Sequence, residues 1–459
     1  MEIEVTSGKA TRIDLANFSS PQMRAFHMSW IAFCICFFSW FGMAPLMTVV
    51  RGEMHFSAEQ VGWCIIGSVA MTIVARLAVG WFCDRFGPRI TYTWLLLLGS
   101  LPVMGIALTN SFASFLLCRV LIGSIGASFV ITQFHTSLMF APNCVGTANA
   151  TAAGWGNLGG GLTQLAMPLL LGALVATLGV SESIGWRLSM VIAGLMCASA
   201  GVAYFFLTQD TPEGNFRQLR AEGRLPAKPA SREAFWEVCR DRRVWALCVI
   251  YGACFGIELT IDNIAALYYV DYFDYFKQLD STSALKLAGL IAAMFGSMNL
   301  FARSLGGWIG DKCGNRWGLS GRVKWLFVAL FGEGLGLMMF SQATTLSLAI
   351  PLMITFALFV KMSNGATYAV VPFINRKSLG MVSGIVGAGG NAAAVAAGFL
   401  FKTQGLDWHT ALFILGGAVT MVSFLAFAVA IRPEVKLQPS ALPVRTGHAD
   451  SIELAGVSS

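Results

Sequence analysis

Two arginines, Arg76 and Arg303, stand inside long apolar runs, each eight residues before an aspartate, Asp84 or Asp311. At 1.5 Å per helical residue that spacing is about 12 Å, near the middle of a ~30 Å hydrocarbon layer. A charge at that depth costs at least a few kcal/mol, and in spanning helices it faces the bundle interior. Neither run contains an acidic residue. A structural ion pair or a snorkelling side chain would explain either arginine alone, but the recurrence favours a shared anionic ligand. A guanidinium never deprotonates, and its parallel N–H donors match a planar oxyanion. Two such forks would grip a small anion from both sides. Without it the charges repel and favour an open state; with it they permit closure.

The elements that must hold these arginines are membrane helices. Of 459 residues, 56% are hydrophobic and 12% charged, against roughly 25% charged in soluble domains. Twelve apolar runs reach crossing length: 28–50, 61–82, 90–108, 112–134, 146–176, 186–207, 244–269, 285–310, 323–342, 346–371, 381–401 and 409–431. The fifth exceeds one crossing. Residues 1–27 form an N-terminal tail, 208–243 a polar linker and 432–459 a C-terminal tail, leaving six-helix halves at 28–207 and 244–431. Most basic residues fall on the side of the tails and linker, which predicts cytoplasmic termini. The +7 net charge is thus a topology signal, with no nucleic-acid partner implied. The eleven cysteines and five histidines are scattered, without metal-ligand spacing or a disulfide framework, and no cofactor is expected.

The halves repeat. Arg76-x-x-x-Gly80-x-x-x-Asp84-Arg85-x-Gly87-x-Arg89 recurs as Arg303-x-x-x-Gly307-x-x-x-Asp311-Lys312-x-Gly314-x-Arg316. Asp84 and Arg85, with Asp311 and Lys312, read as gating loops, charge locks that must break when the halves rock. A second echo links two glycine stretches. One carries Gly154, Gly156, Asn157, Gly159 and Gly160; the other carries Gly387, Gly389, Gly390 and Asn391. Glycine there allows close helix contact and bares backbone to a small ligand. Helix packing alone explains most of these glycines but not the two asparagines, which offer polar contacts without a trapping charge. Neither stretch is a phosphate loop, since no Gly-Lys-[Ser/Thr] follows.

The duplicated loop resembles the signature of the major facilitator superfamily, and Arg119-x-x-x-Gly123 resembles a further motif of it. Both glycine stretches resemble the paired signatures of its nitrate/nitrite porter family. Arg24-Ala-Phe-His27, Ala44-Pro-Leu46, Gln209-Asp-Thr-Pro-Glu-Gly214, Glu258-Leu-Thr-Ile-Asp-Asn263 and Gly365-Ala-Thr-Tyr-Ala-Val-Val-Pro372 are similar to its plant-type and cyanobacterial high-affinity branch. The resemblance spans residues 24 to about 433 and implies an all-α membrane protein of the major facilitator fold, with 12 transmembrane helices in two pseudo-symmetric six-helix halves. It implies nitrate, with nitrite, as substrate, bound by Arg76 and Arg303 with Asn157 and Asn391. By local pattern the family's aromatic lining falls on Phe129, Tyr251, Phe255 and Tyr368, with Phe37 or Phe41 on the first run; ordinary packing is the competing reading for each. The family has glutamine where this sequence has Lys361.

Bringing one anion into a cell that is negative inside costs about 2.3 kcal/mol per 100 mV. Uptake therefore needs two or more protons per nitrate, or exchange for internal nitrite. Glu258 and Asp262, at i and i+4, are the proton-coupling candidates by depth; Asp262 at the outer end also reads as simply solvated. Glu333 and Lys361 are further buried charges; Lys361 reads as pairing with Glu333 or Glu258, or as altering the coupling step. Proton-coupled nitrate uptake is expected, with nitrate/nitrite exchange as the alternative. A small organic-anion exchanger would not need the asparagine signatures. An anion sensor without transport would lack a signalling domain here, and no nucleophile–base set points to an enzyme. A bacterial inner membrane is expected from the short loops and compact linker, with the protein functional as a monomer.

Overall fold

The computed structural model describes residues 8–225, 232–279, 281–402 and 406–430. The predicted C-terminal tail lies outside the described residues. Eleven helices are long and apolar enough to cross a membrane, and one of them, Leu287–Ser341, is 55 residues long. That helix leaves helical geometry at Trp317 and at Gly318, where φ is +62°, so it counts as two crossings and the chain makes twelve.

We number these crossings as spans. Spans 1 to 6 are Pro21–Phe41, Ala58–Phe86, Pro88–Gly105, Phe112–Met139, Val145–Leu178 and Glu182–Leu207. Span 7 joins Arg242–Tyr251 to Ile257–Tyr272 through a π turn, Gly252–Gly256. Span 8 runs from Ser281–Ser297 through a 3-10 turn into Ala302 and ends at the Trp317 break, where span 9 begins and runs to Ser341. Spans 10 to 12 are Leu346–Val370, Leu379–Lys402 and Trp408–Ser423.

Local chemistry sets the ends. Ser20 caps span 1 from just before Pro21, whose missing N–H costs nothing in the first turn. Ser57 and Gln60 form a reciprocal capping box at span 2. The first crossing differs from its predicted extent of 28–50. It begins earlier, at the Ser20 cap, and stops at Phe41 because Pro45 cannot supply the N–H a continuing helix needs. A separate short helix, Met47–Met54, follows. Span 5 is one uninterrupted helix of 34 residues, about 51 Å at 1.5 Å per residue. It overshoots the bilayer by simple length.

Leu98, Leu101, Leu165, Leu169, Phe206 and Met421 are exposed on the outside of the bundle, as lipid-facing residues must be. Small residues set the internal seams. Gly201 lies against Leu96 and Leu97, joining spans 3 and 6, and Gly334 lies against Gly416 and Thr420, joining spans 9 and 12. The seams between the halves pair span 2 with span 11 and span 5 with span 8. Along the first, Gly80 meets Gly380 and Gly384 meets Arg76; along the second, Gly146 meets Gly307 and Gly154 meets Asn299.

The two repeats turn differently. Gly87 ends span 2 with φ +87° and ψ 160°, a conformation essentially reserved for glycine, and span 3 starts at once. Its counterpart Gly314 stays helical, and the chain turns later at Gly318. A Cβ at Gly87 would also lie 2.6 Å from the buried Asp210 carboxyl group, which accepts from the Arg89 and Phe216 N–H groups. Gly87→Ala should therefore destabilise the protein by about 1–3 kcal/mol. Thermal unfolding in detergent should show a lower midpoint, while Gly105→Ala, with open space around it, should show no such drop.

Candidate functional site

Three irregular turns aim the side chains at the centre. Span 4 tightens to a 3-10 turn at Gly123–Ala127, just before Phe129. The π turn of span 7 carries Phe255 and follows Tyr251. The 3-10 turn of span 8 carries Asn299, four residues before Arg303. Such turns rotate the helix face by a fraction of a turn, and they recur at functional sites.

Arg76 and Arg303 are fully buried and flank the same two rings. The Arg76 guanidinium is 5.2 Å from the Phe129 centroid and 5.5 Å from that of Phe255; for Arg303 both distances are 5.8 Å. Phe129, Tyr251 and Phe255 stack nearly parallel, with Tyr251 and Phe255 at 5.2 Å and 8°. Tyr368 closes the group edge-on to Phe129 and Tyr251. These aromatic faces stabilise the cations while leaving their N–H edges available. Four of the five aromatic candidates therefore come together with the arginines.

Phe41 does not join them. Its ring contacts are Phe37 and Trp40, and it lies over Gly160. Phe33 takes the expected place on span 1, packing against Phe129 at 5.7 Å and over Gly156. Phe33 is eight residues from Phe41 on the same helical face, so periodicity alone could not choose the rung.

Each arginine is gripped across a seam. Arg76 Nη1 donates to the Gly387 carbonyl of span 11, and a Cβ at Gly384 would lie 2.6 Å from the Arg76 carbonyl oxygen. The Arg303 Cβ is 3.5 Å from the Cβ position of Gly154 in span 5. Gly156, Gly159 and Gly389 make close packing contacts with Phe33, Cys34 and Cys248, and Gly390 with Phe255. Of the signature glycines, Gly154 and Gly387 border an arginine. Asn157 and Asn391 sit one helical turn beyond those two. Neither the nitrogen nor the oxygen of either side chain has a hydrogen-bond partner among the described residues, and the same holds for Arg76 Nε and Nη2. Buried polar atoms without partners are costly, so this set fits a small anion whose oxygens would accept from them.

Arg303 is not without a counter-ion, contrary to the reading of its own helix. Glu258 Oε2 lies 3.6 Å from its Nη1, and Tyr251 Oη accepts from its Nη2 at 3.1 Å. Glu258 also pairs with Lys361 at 2.7 Å and accepts from Asn299 and Asn364 at 2.9 and 2.8 Å. The carboxylate accepts two amide hydrogen bonds and faces two cations, all of which favour its ionised form. Glu258 is thus a fixed counter-ion, and the geometry does not suit it to carry protons. Lys361 takes Glu258 as its partner and not Glu333, which instead meets Ser363. Asp262 is exposed in a recess facing Lys361, with no ion pair to it among the described residues. Asn299 and Asn364 went unpredicted. Each is an amide inside an apolar run, the same signal that marked the arginines.

The gating aspartates hold backbone of the opposite half rather than the basic residues of their own loops. Asp84 accepts from Gly380 N and Met381 N, both at 2.9 Å, at the start of span 11. Asp311 accepts from Gly146 N at 3.0 Å and Thr147 N at 2.6 Å, at the start of span 5, and pairs with buried Arg322 at 2.5 Å. Each carboxylate caps a helix N-terminus of the opposite half, where free N–H groups and the helix dipole favour an anion. Arg85 and Lys312 instead lie over Trp81 and Trp308 of their own helices. The linker side of the seam is therefore shut. A cavity of about 460 Å³ opens beside Glu53, Glu182 and Ser183. The arginine pair does not line it.

Removing Glu258 would leave Arg303 and Lys361 uncompensated. Breaking a buried pair in this way costs about 3–5 kcal/mol. Glu258→Leu should lower the thermal midpoint in detergent far more than Glu53→Leu at the outer surface.

The Major Facilitator Superfamily profile matches residues 29–374. The chain is 39% identical to the high affinity nitrate transporter 2.5 of Arabidopsis thaliana, over 86% of this chain and 76% of that protein. It is 26% identical to the nitrate/nitrite transporter NrtP of Nostoc punctiforme, over 92% and 95%. Among solved structures, the proton:xylose symporter XylE superposes with a TM-score of 0.67 at 12% identity, covering 90% of this chain and 96% of that one. That likeness concerns the fold alone.

Proposed function

The chain belongs to the Major Facilitator Superfamily and, within it, to the family of the high-affinity nitrate transporters; from that premise we propose that it carries nitrate, and nitrite, across the cytoplasmic membrane by alternating access. The protein is a multi-pass membrane transporter, not an enzyme. One observation carries the site assignment: two buried guanidinium groups lie over one aromatic stack, and donors of Arg76, Asn157 and Asn391 have no partner among the described residues.

The charge balance suits a monoanion. Lys361 and Glu258 neutralise each other at 2.7 Å, which leaves Arg76 and Arg303 as an excess of two positive charges. A planar monoanion between them halves that excess and bridges the halves. Opening the linker side requires Asp84 and Asp311 to release the starts of spans 11 and 5. The same two helices carry Gly387 and Gly154 against the arginines, so gate and site move as one unit. The reading includes a monomer of halves 28–207 and 244–431 in a bacterial inner membrane, with both termini cytoplasmic and proton-coupled uptake. Nitrate/nitrite exchange is the competing coupling mode.

Proteoliposome uptake of labelled nitrate tests this. Wild type should concentrate nitrate when a pH gradient is imposed; flux that appears only with trapped nitrite would establish exchange instead. Arg76→Lys and Arg303→Lys keep the charge but lose the fork, and should each weaken nitrate binding about 10- to 100-fold, the equivalent of about 1.4–2.7 kcal/mol. Absence of nitrate flux in wild type, or wild-type affinity in both variants, would remove the assignment.

A further inference from the structure

Proton-coupled uptake needs a group inside the bundle that binds and releases a proton, and Glu258 is held ionised by two amides and two cations. Glu333 on span 9 is in the opposite situation. It is fully buried and forms no ion pair among the described residues, and its Oε1 has no hydrogen-bond partner among them. Its Oε2 lies 2.5 Å from Ser363 Oγ, which in turn lies 2.9 Å from the carbonyl oxygen of Val360. Ser363 has one hydroxyl proton and cannot give it fully to both. With a proton on Glu333 the chain closes: the carboxyl O–H donates to Ser363 Oγ, and the serine O–H donates to Val360 O. An ionised Glu333 would instead bury an unpaired charge, at a cost of several kcal/mol.

The charged and titratable groups facing Glu333 come from two spans. Lys361 is on span 10, and Glu258 and Cys254 are on span 7. Span 12 packs alongside with Thr420 against Gly334 and adds no charge there. Asp262, one turn beyond Glu258, faces Lys361. Lys361 therefore reaches toward both Glu258 and Glu333, and its ammonium group lies 4.2 Å from the Phe295 ring centroid with a flexible stem behind it.

We infer that Glu333 is the proton-binding site of the transport cycle and that Lys361 transmits its charge state to the anion site. This rests on the nitrate-transport reading and adds the coupling residue to it. With Glu333 protonated, Lys361 pairs closely with Glu258, and Arg303 keeps only its 3.6 Å contact with the same carboxylate. Its guanidinium then remains available to an anion. When the Glu333 O–H bond breaks, the electron pair stays on the carboxylate and the proton leaves to water. The new anion draws Lys361 away from Glu258, which turns fully to Arg303 and competes with the substrate. Proton and nitrate therefore bind cooperatively, and the coupling is reciprocal. One carboxyl supplies one proton, so Glu333 provides one of the protons that enter with each nitrate.

The test is nitrate affinity against pH for purified wild type and Glu333→Gln, with pH-gradient-driven uptake in proteoliposomes. Wild-type affinity should weaken as pH rises past the release of the Glu333 proton, by up to about tenfold per pH unit. In Glu333→Gln the affinity should be independent of pH, and the gradient should no longer concentrate nitrate. Wild-type pH dependence in that variant, or retained accumulation, overturns the inference. If Glu333→Gln is not monodisperse, Lys361→Met carries the test, since it too must lose the slope; a slope of wild-type size overturns the proposal. Wild type that binds nitrate equally at all pH values overturns this inference alone. Wild type that binds no nitrate at any pH removes the transport reading and this inference with it.

Discussion

A positive charge buried in an apolar helix bundle must be answered by something, and much of this molecule is arranged around answering two of them. Arg76 and Arg303 lie near the bilayer centre, where water cannot solvate them. Aromatic faces take part of the charge: both guanidinium groups lie within 6 Å of the Phe129 and Phe255 centroids. Backbone takes another part through the Gly387 carbonyl. What is left over is the attraction for an anion. If the protein neutralised the pair completely, it would have no reason to bind one.

The two halves share a scaffold but not a charge pattern. Arg76 has no carboxylate partner among the described residues, whereas Arg303 shares Glu258 with Lys361. The repeat thus supplies two similar arms, and the second half adds acids and a lysine beside one of them. That asymmetry is where a titratable switch can reside, because a perfectly repeated site would contain only fixed charges. The structure gives Lys361 a partner, Glu258, that explains why it is tolerated at full burial.

The seams connect this chemistry to motion. On span 2, Arg76, Gly80 and Asp84 are spaced four apart and form one stripe. On span 11, Gly380, Gly384, Gly387 and Asn391 form the facing stripe. Spans 8 and 5 repeat the arrangement with Arg303, Gly307 and Asp311 against Gly146 and Gly154. Helix backbones in contact along such a stripe slide or separate as rigid surfaces. An anion bound at one end, as proposed, would therefore act on the same interface as the aspartate cap at the other. The basic residues of the loops, expected to form the lock, stay on aromatic rings of their own helices, because a helix N-terminus satisfies a carboxylate with better geometry and no long side chain to order.

The sequence by itself determined whatever depends on position along one helix. Twelve crossings, the depth of Arg76 and Arg303, their repetition, and the aspartates two turns away all follow from spacing and from the cost of burying charge. The asparagines in the glycine stretches were legible for the same reason. Only the tertiary structure decided which groups meet across seams. It chose Phe33 over Phe41, placed Asn299 and Asn364 on Glu258, gave Lys361 to Glu258, and left Glu333 with a serine. The physical reason is rotation: one π turn in span 7 and 3-10 turns in spans 4 and 8 shift the facing residues by part of a turn. Those shifts depend on a few backbone hydrogen bonds that no hydrophobic pattern records.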